Sequence, residues 1–267
     1  KKVARYLYRI NKHSLAIKCE VKETEDIVHK NMRMGIGVTG YLQATEEQRN
    51  WLTDCYIYLR SYDKEYSQLA GYPASIKLTT VKPSGTLSLL AGVTPGAHPG
   101  YSEYYIRRIR MAADSSLALT SREHGYPVEY VLNFDGTEDK STIVVSFPCR
   151  FPSGTTFAQD LTAIDQLEVC KRLQTEWSDN AVSVTIYYRK EELENIKEWL
   201  ENNYLNVKSV SFLLHNDHGF KQAPLEEIDE GTYLDMKSSV TPITSLEQLS
   251  MDDIEIADCD SGACPVR

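Results

Sequence analysis

Apolar positions along the chain recur at two periods, and each period predicts a different element. Ser75-Ile76-Lys77-Leu78-Thr79-Thr80-Val81 alternates as a strand does. Ile143-Val144-Val145-Ser146-Phe147 reads as a second strand, stopped by Pro148, and Ala181 to Tyr188 as a β-branched third. Val207 to Leu214 is a further strand. Ile164, Leu167, Cys170, Leu173 and Trp177 fall three or four residues apart, as do Leu193, Ile196, Leu200 and Tyr204, so each set marks one face of a helix. Residues 22–34 read as a short helix ending at Gly35, residues 45–69 as a longer one stopped by Gly71 and Pro73, and residues 114–124 as another with Gly125 at its end. Strands alternating with helices predict an α/β fold with parallel strands. From Leu225 the pattern fades: residues 225–267 carry eleven acidic side chains against only Lys237 and Arg267, and Ser250 to Arg267 reads as a mobile tail. The expected division is therefore residues 1–224 as the folded body and 225–267 as an acidic extension.

Charge narrows the choice of partner. A net charge of −9 does not suit a grip on a nucleic-acid backbone, although a few local donors can still hold a free nucleotide. No apolar run reaches the roughly 18 residues of a membrane span. The opening Lys1-Lys2-Val3-Ala4-Arg5-Tyr6 has neither an initiator Met nor the apolar core of a signal peptide. The expectation is a cytoplasmic protein whose chain starts inside a longer polypeptide or a split gene product. Four of the six cysteines, Cys19, Cys55, Cys149 and Cys170, sit in apolar or helical patterns and read as structural thiols. Cys259 and Cys264 alone form a pair by spacing, and in a reducing compartment such a pair reads as catalytic or transient.

Several segments are able to carry chemistry. Lys82-Pro83-Ser84-Gly85-Thr86-Leu87-Ser88 joins a strand to a helical turn, where unpaired amides, the helix dipole and the hydroxyls of Ser84, Thr86 and Ser88 favour an anion. The plain alternative is an ordinary capped turn, and no Gly-Lys-Ser/Thr of the usual P-loop is present. The ending Asp258-Cys259-Asp260-Ser261-Gly262-Ala263-Cys264-Pro265 reads as a redox shuttle, a metal site or an inert tail; the flanking carboxylates disfavour thiolate. His215 and His218 of His-Asn-Asp-His read as a solvated loop more readily than as metal ligands, and no metal is expected. Arg107, Arg108 and Arg110 face either nucleotide phosphates or a solvated helix surface. Tyr104-Tyr105 and Tyr187-Tyr188 read as packing residues more readily than as radical or electron-transfer sites.

Taken in order, these segments resemble the large catalytic chain of ribonucleotide reductases, in the monomeric, adenosylcobalamin-dependent, triphosphate-reducing type. Asn31-Met32-Arg33-Met34-Gly35-Ile36-Gly37-Val38-Thr39-Gly40 looks like the family's Arg-x-x-Gly-x-Gly segment, and Lys82 to Leu90 like its phosphate loop in the Gly-containing form. Gly96-Ala97-His98-Pro99, Tyr105-Ile106-Arg107-Arg108, Trp177-Ser178-Asp179-Asn180-Ala181-Val182-Ser183, Gln222-Ala223-Pro224 and the ending Cys-x-x-x-x-Cys-Pro follow as they do there. The resemblance implies the second half of an α/β barrel, a parallel half-barrel with flanking helices, plus a flexible C-terminal tail. It implies that Pro83, Ser84, Gly85, Thr86, Leu87 and Ser88 bind the phosphates of a ribonucleoside triphosphate. It implies that Cys259 and Cys264 re-reduce the active site and are reset by thioredoxin or another dithiol. In the family, adenosylcobalamin generates a thiyl radical on a finger-loop cysteine in an Asn-x-Cys-x-Glu arrangement, and residues 1–267 contain no such arrangement. The radical cysteine is therefore expected on a missing N-terminal part of the reductase, and no residue here is assigned to the cobalamin. The rival readings are an inactive half-barrel remnant or interaction module, a ribonucleoside-diphosphate reductase of the same family, and a stand-alone nucleotide-binding or thiol-exchange protein.

Overall fold

The computed structural model describes residues 1–133, 135–214 and 222–244. The helices are α1 (Lys2–Ser14), α2 (Lys22–Asn31), α3 (Glu46–Ala70), α4 (Leu87–Ala91), α5 (Ser116–Glu123), α6 (Ala163–Glu176), α7 (Leu193–Asn203) and α8 (Glu230–Ser239). The strands are β1 (Tyr104–Ala112), β2 (Val128–Leu132), β3 (Glu138–Arg150), β4 (Thr185–Tyr188), β5 (Ser211–Leu214) and β6 (Leu225–Glu227). The chain divides into two compact units, one formed by Lys1–Pro99 and the residues from Ala158 to the end of β5, the other by Gly100–Phe157 and the described residues from 222 onward.

In the first unit, β4 and β5 pair in parallel. Upstream, extended segments align through single parallel bridges, Ile36 with Thr79 and Val81 with Val182. Gly35 permits the first approach: a Cβ there would lie 3.0 Å from the Thr80 methyl. Local sequence sets the helices against these segments. Thr45 accepts from the Gln48 amide while the Gln48 side chain accepts from the Thr45 amide, and Thr162 and Asp165 repeat the arrangement at the start of α6. Of the predicted apolar faces, Leu167, Cys170, Leu173, Trp177 and Ile196 enter the core with Ile36, Leu78, Val81 and Ile186; Trp199 joins them, whereas Leu193 and Tyr204 are exposed. Burial pushes the Cys170 thiol up to about 11, which makes it an inert core group. Cys19, Cys55 and Cys149 are only half-buried. The helix predicted to run to Gly35 stops at Asn31, because Met32 takes the left-handed conformation (φ 43°) and buries its side chain.

α1, which the pattern reading passes over, docks on α3 through buried charge. Lys12 and Asp63 are 0% and 2% exposed. The Lys12 ammonium donates to Asp63 Oδ1 (3.2 Å), the Pro73 carbonyl (2.6 Å) and Ser75 Oγ (3.0 Å). Asp63 also accepts from the Tyr8 hydroxyl (2.7 Å), Ser67 Oγ (3.2 Å) and the Ser75 amide (2.8 Å). Burial lowers the Lys12 pKa, and the Asp63 carboxylate opposes the shift.

The second unit overturns the expectation of parallel pairing for the chain as a whole. Its sheet has the order β2-β3-β1-β6, and all three of its pairings are antiparallel. Leu132 and Glu138 are too close in sequence for a crossover, so β2 and β3 must run antiparallel. β3 continues through Pro148, where the sequence reading ends it. Ser146 donates its amide outward to Pro127. Alternation points the missing Pro148 donor to the same side, beyond the end of β2, where no ladder bond is lost. Met111, Ile143 and Val145 pack under Ala118 of α5. Residues 225–244, read from sequence as part of a fading extension, supply β6 and α8; Tyr233 of α8 packs on Tyr104.

Removing one member of the buried pair should cost far more than removing both. Asp63→Ala strands the Lys12 ammonium and is expected to lower the unfolding free energy by roughly 3–5 kcal/mol, whereas Lys12→Met with Asp63→Leu restores most of the loss. Urea denaturation of the single and double variants measures this. A double variant as unstable as the single one would show that the attraction itself, not a stranded charge, holds α1.

Candidate functional site

The loop after Val81 is held from below by residues distant in sequence. Gly96 is the closest support: its φ is +54°, and a Cβ there would lie 2.1 Å from the Lys82 carbonyl oxygen, so no side chain fits. Thr39 Oγ1 donates to the Thr94 carbonyl (3.0 Å) and accepts from the Gly96 amide (3.0 Å), and the Gln43 side chain accepts from the Thr94 amide (2.8 Å). On this base the chain turns at Ser84, which has a left-handed φ of 46°. Ser88 donates its amide to the Ser84 carbonyl (3.2 Å), starting α4. The amides of Gly85, Thr86 and Leu87 precede that bond and find no acceptor within the turn. Ser84 and Gly85 are half-buried and Thr86 and Leu87 exposed, so the loop is open to a ligand. The hydroxyls of Ser88 and Thr94 are buried without a partner among the described residues. α4 spans only five residues, so its dipole is weak, and any hold on an anion rests on the amides and hydroxyls.

Two further clusters fix the surroundings within the same unit. His98 is buried, its Nε2 accepts from the Thr185 amide (3.0 Å), and its Nδ1 therefore carries the proton and faces the Pro95 carbonyl (3.1 Å). Burial lowers its pKa to about 4, against a smaller opposing effect of the Pro95 carbonyl, so the ring is neutral. The residues Trp177 to Asn180 tie neighbouring segments together. Asn180 Nδ2 donates to the carbonyls of Met34 (3.0 Å) and Thr79 (2.7 Å), and Trp177 Nε1 to that of Thr80 (3.1 Å). Asp179 accepts from the Leu78 amide (2.8 Å), the Tyr56 hydroxyl (2.9 Å) and Arg60 (2.6 Å). Burial pushes the Asp179 carboxyl up, but these donors outweigh it and hold the pKa below the usual carboxylate value.

Three comparisons bear on this arrangement. No family model matches the chain. The probable adenosylcobalamin-dependent ribonucleoside-triphosphate reductase of Dictyostelium discoideum is 34% identical over 256 residues, 91% of this chain and 33% of its own. The adenosylcobalamin-dependent ribonucleoside-triphosphate reductase of Euglena gracilis is 34% identical over 255 residues, 91% of this chain and 34% of its own. The chain is homologous to a part of these reductases. A crystal structure of a B12-dependent, class II ribonucleotide reductase aligns with 99% of this chain at a TM-score of 0.72 and 26% identity, which is 39% of that chain. The present chain thus spans about a third of the length of the curated reductases it matches.

The structure places the predicted residues in four groups. Pro83, Ser84, Gly85, Thr86, Leu87 and Ser88 come together as one turn. Cys259, Cys264, His215 and His218 lie outside the described residues. Arg107, Arg108 and Arg110 belong to β1 in the second unit, on a strand and not on the helix surface considered from sequence. Of the tyrosine pairs, Tyr105 stacks on Phe151 and Tyr188 meets Phe212 edge-on, as packing residues do. Of the supports, Thr39 lies within the segment 31–40, whereas Gln43 and Thr94 carry no pattern in the sequence. The described residues hold no group of three or more His, Cys, Asp or Glu able to bind a metal ion, and both nitrogens of His98 are engaged. Among the described residues, no helix is long and apolar enough to cross a membrane.

The neutral His98 makes stability depend on pH with a defined sign. Between about pH 6.5 and pH 4 the unfolded chain takes up a proton that the folded ring refuses, so stability is full above this window and falls within it. The loss is on the order of 3 kcal/mol. Urea denaturation across the window should show this slope in the native protein and a flatter one in His98→Gln. Equal slopes would mean that His98 does not titrate this way.

Proposed function

We propose that this chain is part of a ribonucleoside-triphosphate reductase, in which Pro83 to Ser88 hold the substrate phosphates and Cys259 with Cys264 return electrons to the active site. The observation that carries the reading is the open turn with unspent amides at Gly85, Thr86 and Leu87, in a chain homologous to triphosphate reductases. The turn offers donors and no titrating base or nucleophile, so its role is to position substrate. The radical cysteine belongs to a part of the enzyme outside residues 1–267, and no residue of this chain is assigned to adenosylcobalamin. The tail dithiol gives two electrons and two protons to the active-site disulfide, becomes a disulfide itself, and is reset by thioredoxin or another dithiol.

The first helix supports a missing polypeptide partner. Val3, Tyr6, Leu7 and Ile10 recur at helical spacing on α1 and are all exposed, Val3 at 70% and Ile10 at 64%. An apolar stripe of this kind on a helix face marks a surface meant to be covered. The remaining two thirds of the reductase length is the proposed cover.

The test is to combine the chain with candidate upstream reductase segments, adenosylcobalamin and a dithiol, and to measure deoxynucleotide formed from a ribonucleoside triphosphate. Turnover is expected, and its absence with every upstream segment would favour an inactive remnant. In that assay Gly85→Val should raise KM by roughly ten- to a hundred-fold, the loss expected for one or two charge-assisted hydrogen bonds. An unchanged KM would remove the turn from the site. Cys259→Ser should abolish turnover driven by thioredoxin and spare turnover driven by a small dithiol. Loss with both reductants would mean that the thiol does more than relay electrons.

A further inference from the structure

Side chains alternate along β1, and this separates its three arginines. Arg108 and Arg110 share a face. Arg108 donates to the Ala223 carbonyl (3.1 Å) and pairs with Glu226, and Arg110 reaches the Gln222 carbonyl (3.5 Å). Both are thereby occupied in fastening the segment that leads into β6. Arg107 lies on the opposite face, in register with Phe147 of β3 and Leu225 of β6. It is 5% exposed, its Nε is buried without an acceptor, and among the described residues no carboxylate pairs with it.

Among the described residues, none of the groups around Arg107 forms an ion pair with it. Tyr105 and Cys149 face each other across β1 and β3. Burial pushes both the Cys149 thiol and the Tyr105 hydroxyl up, so both stay uncharged near neutral pH. Glu227 is in register with Tyr105 on the same face; its carboxylate accepts from Ser102 Oγ (3.2 Å) and forms no ion pair with Arg107. A guanidinium keeps its charge at any working pH, and a buried charge without a partner is strongly unfavourable. Such a group calls for an oxyanion.

We propose that Arg107 anchors a second anion site in this chain, which takes a phosphate group, inorganic or nucleotide-borne. The planar fork of the guanidinium matches two phosphate oxygens, and Tyr105, Phe147 and Cys149 beside it supply no charge of their own, so among the described residues no carboxylate competes with the ligand by pairing directly with Arg107. The site does not depend on the assignment of residues 83–88.

The test uses the whole 267-residue chain with 15N-labelled arginine. The Nε–H resonance that disappears in Arg107→Lys belongs to Arg107. Titration with inorganic phosphate at constant ionic strength should shift it to saturation, with the same Kd in Gly85→Val. In parallel, Arg107→Met should be at least as heat-stable as the native protein without phosphate and should lose the part of the phosphate-dependent rise in Tm that Gly85→Val retains. A resonance that does not move overturns the proposal. So does a shift abolished by Gly85→Val, which would place the anion at the other turn. Saturation by acetate at the same concentration as phosphate would overturn the choice of ligand. If Arg107→Met does not fold, the titration of the native resonance still decides.

Discussion

In the first unit, neighbouring extended segments meet through single bridges, and side chains complete the hydrogen bonding that a full ladder would supply. Asn180 takes two carbonyls from two different segments, Asp179 takes the Leu78 amide, and Trp177 takes the Thr80 carbonyl. A buried backbone group without a partner is costly, so these side chains set how closely the segments approach. The position of Val81, and with it the start of the phosphate-loop candidate, follows from that constraint.

The same accounting explains how charge is placed elsewhere. Lys12 and Asp63 are buried together because every donor of the ammonium and both carboxylate oxygens find partners. His98 is buried because, as one neutral tautomer, it satisfies an amide on one side and faces a carbonyl on the other. Against this background the exceptions among the described residues are Ser88 and Thr94 at the turn, Arg107 and Arg108 on β1, and Arg5, His29 and Ser116 elsewhere, each buried with an unspent polar atom. In a homologue of enzymes named for a triphosphate substrate, such atoms are where ligand oxygens are sought first.

Much of the helical structure was readable from spacing, because an apolar face three or four residues wide has one use in water. α3, α6 and α7 fall where the pattern places them, and the caps of α3 and α6 are explicit in Thr45-x-x-Gln48 and Thr162-x-x-Asp165. α1 was missed although Val3, Leu7 and Ile10 repeat, because its other face holds Lys12, a residue that reads as solvated. β1 was missed because three arginines interrupt its alternation. The extent of β3 was misjudged at Pro148, since whether a proline ends a strand depends on which neighbour its missing donor would face.

Sequence alone determined the family resemblance, the turn from Pro83 to Ser88 as an anion candidate, and Cys259 with Cys264 as a candidate pair by spacing. These are statements about order along the chain, which local chemistry encodes directly. Only the tertiary structure decided that the second unit is antiparallel, that Gly96 lies beneath Lys82, and that Arg107 is buried while Arg108 and Arg110 are bonded. Each of these depends on which distant segment arrives alongside. Burial and hydrogen-bond satisfaction are properties of that arrival, and no window of neighbouring residues contains them.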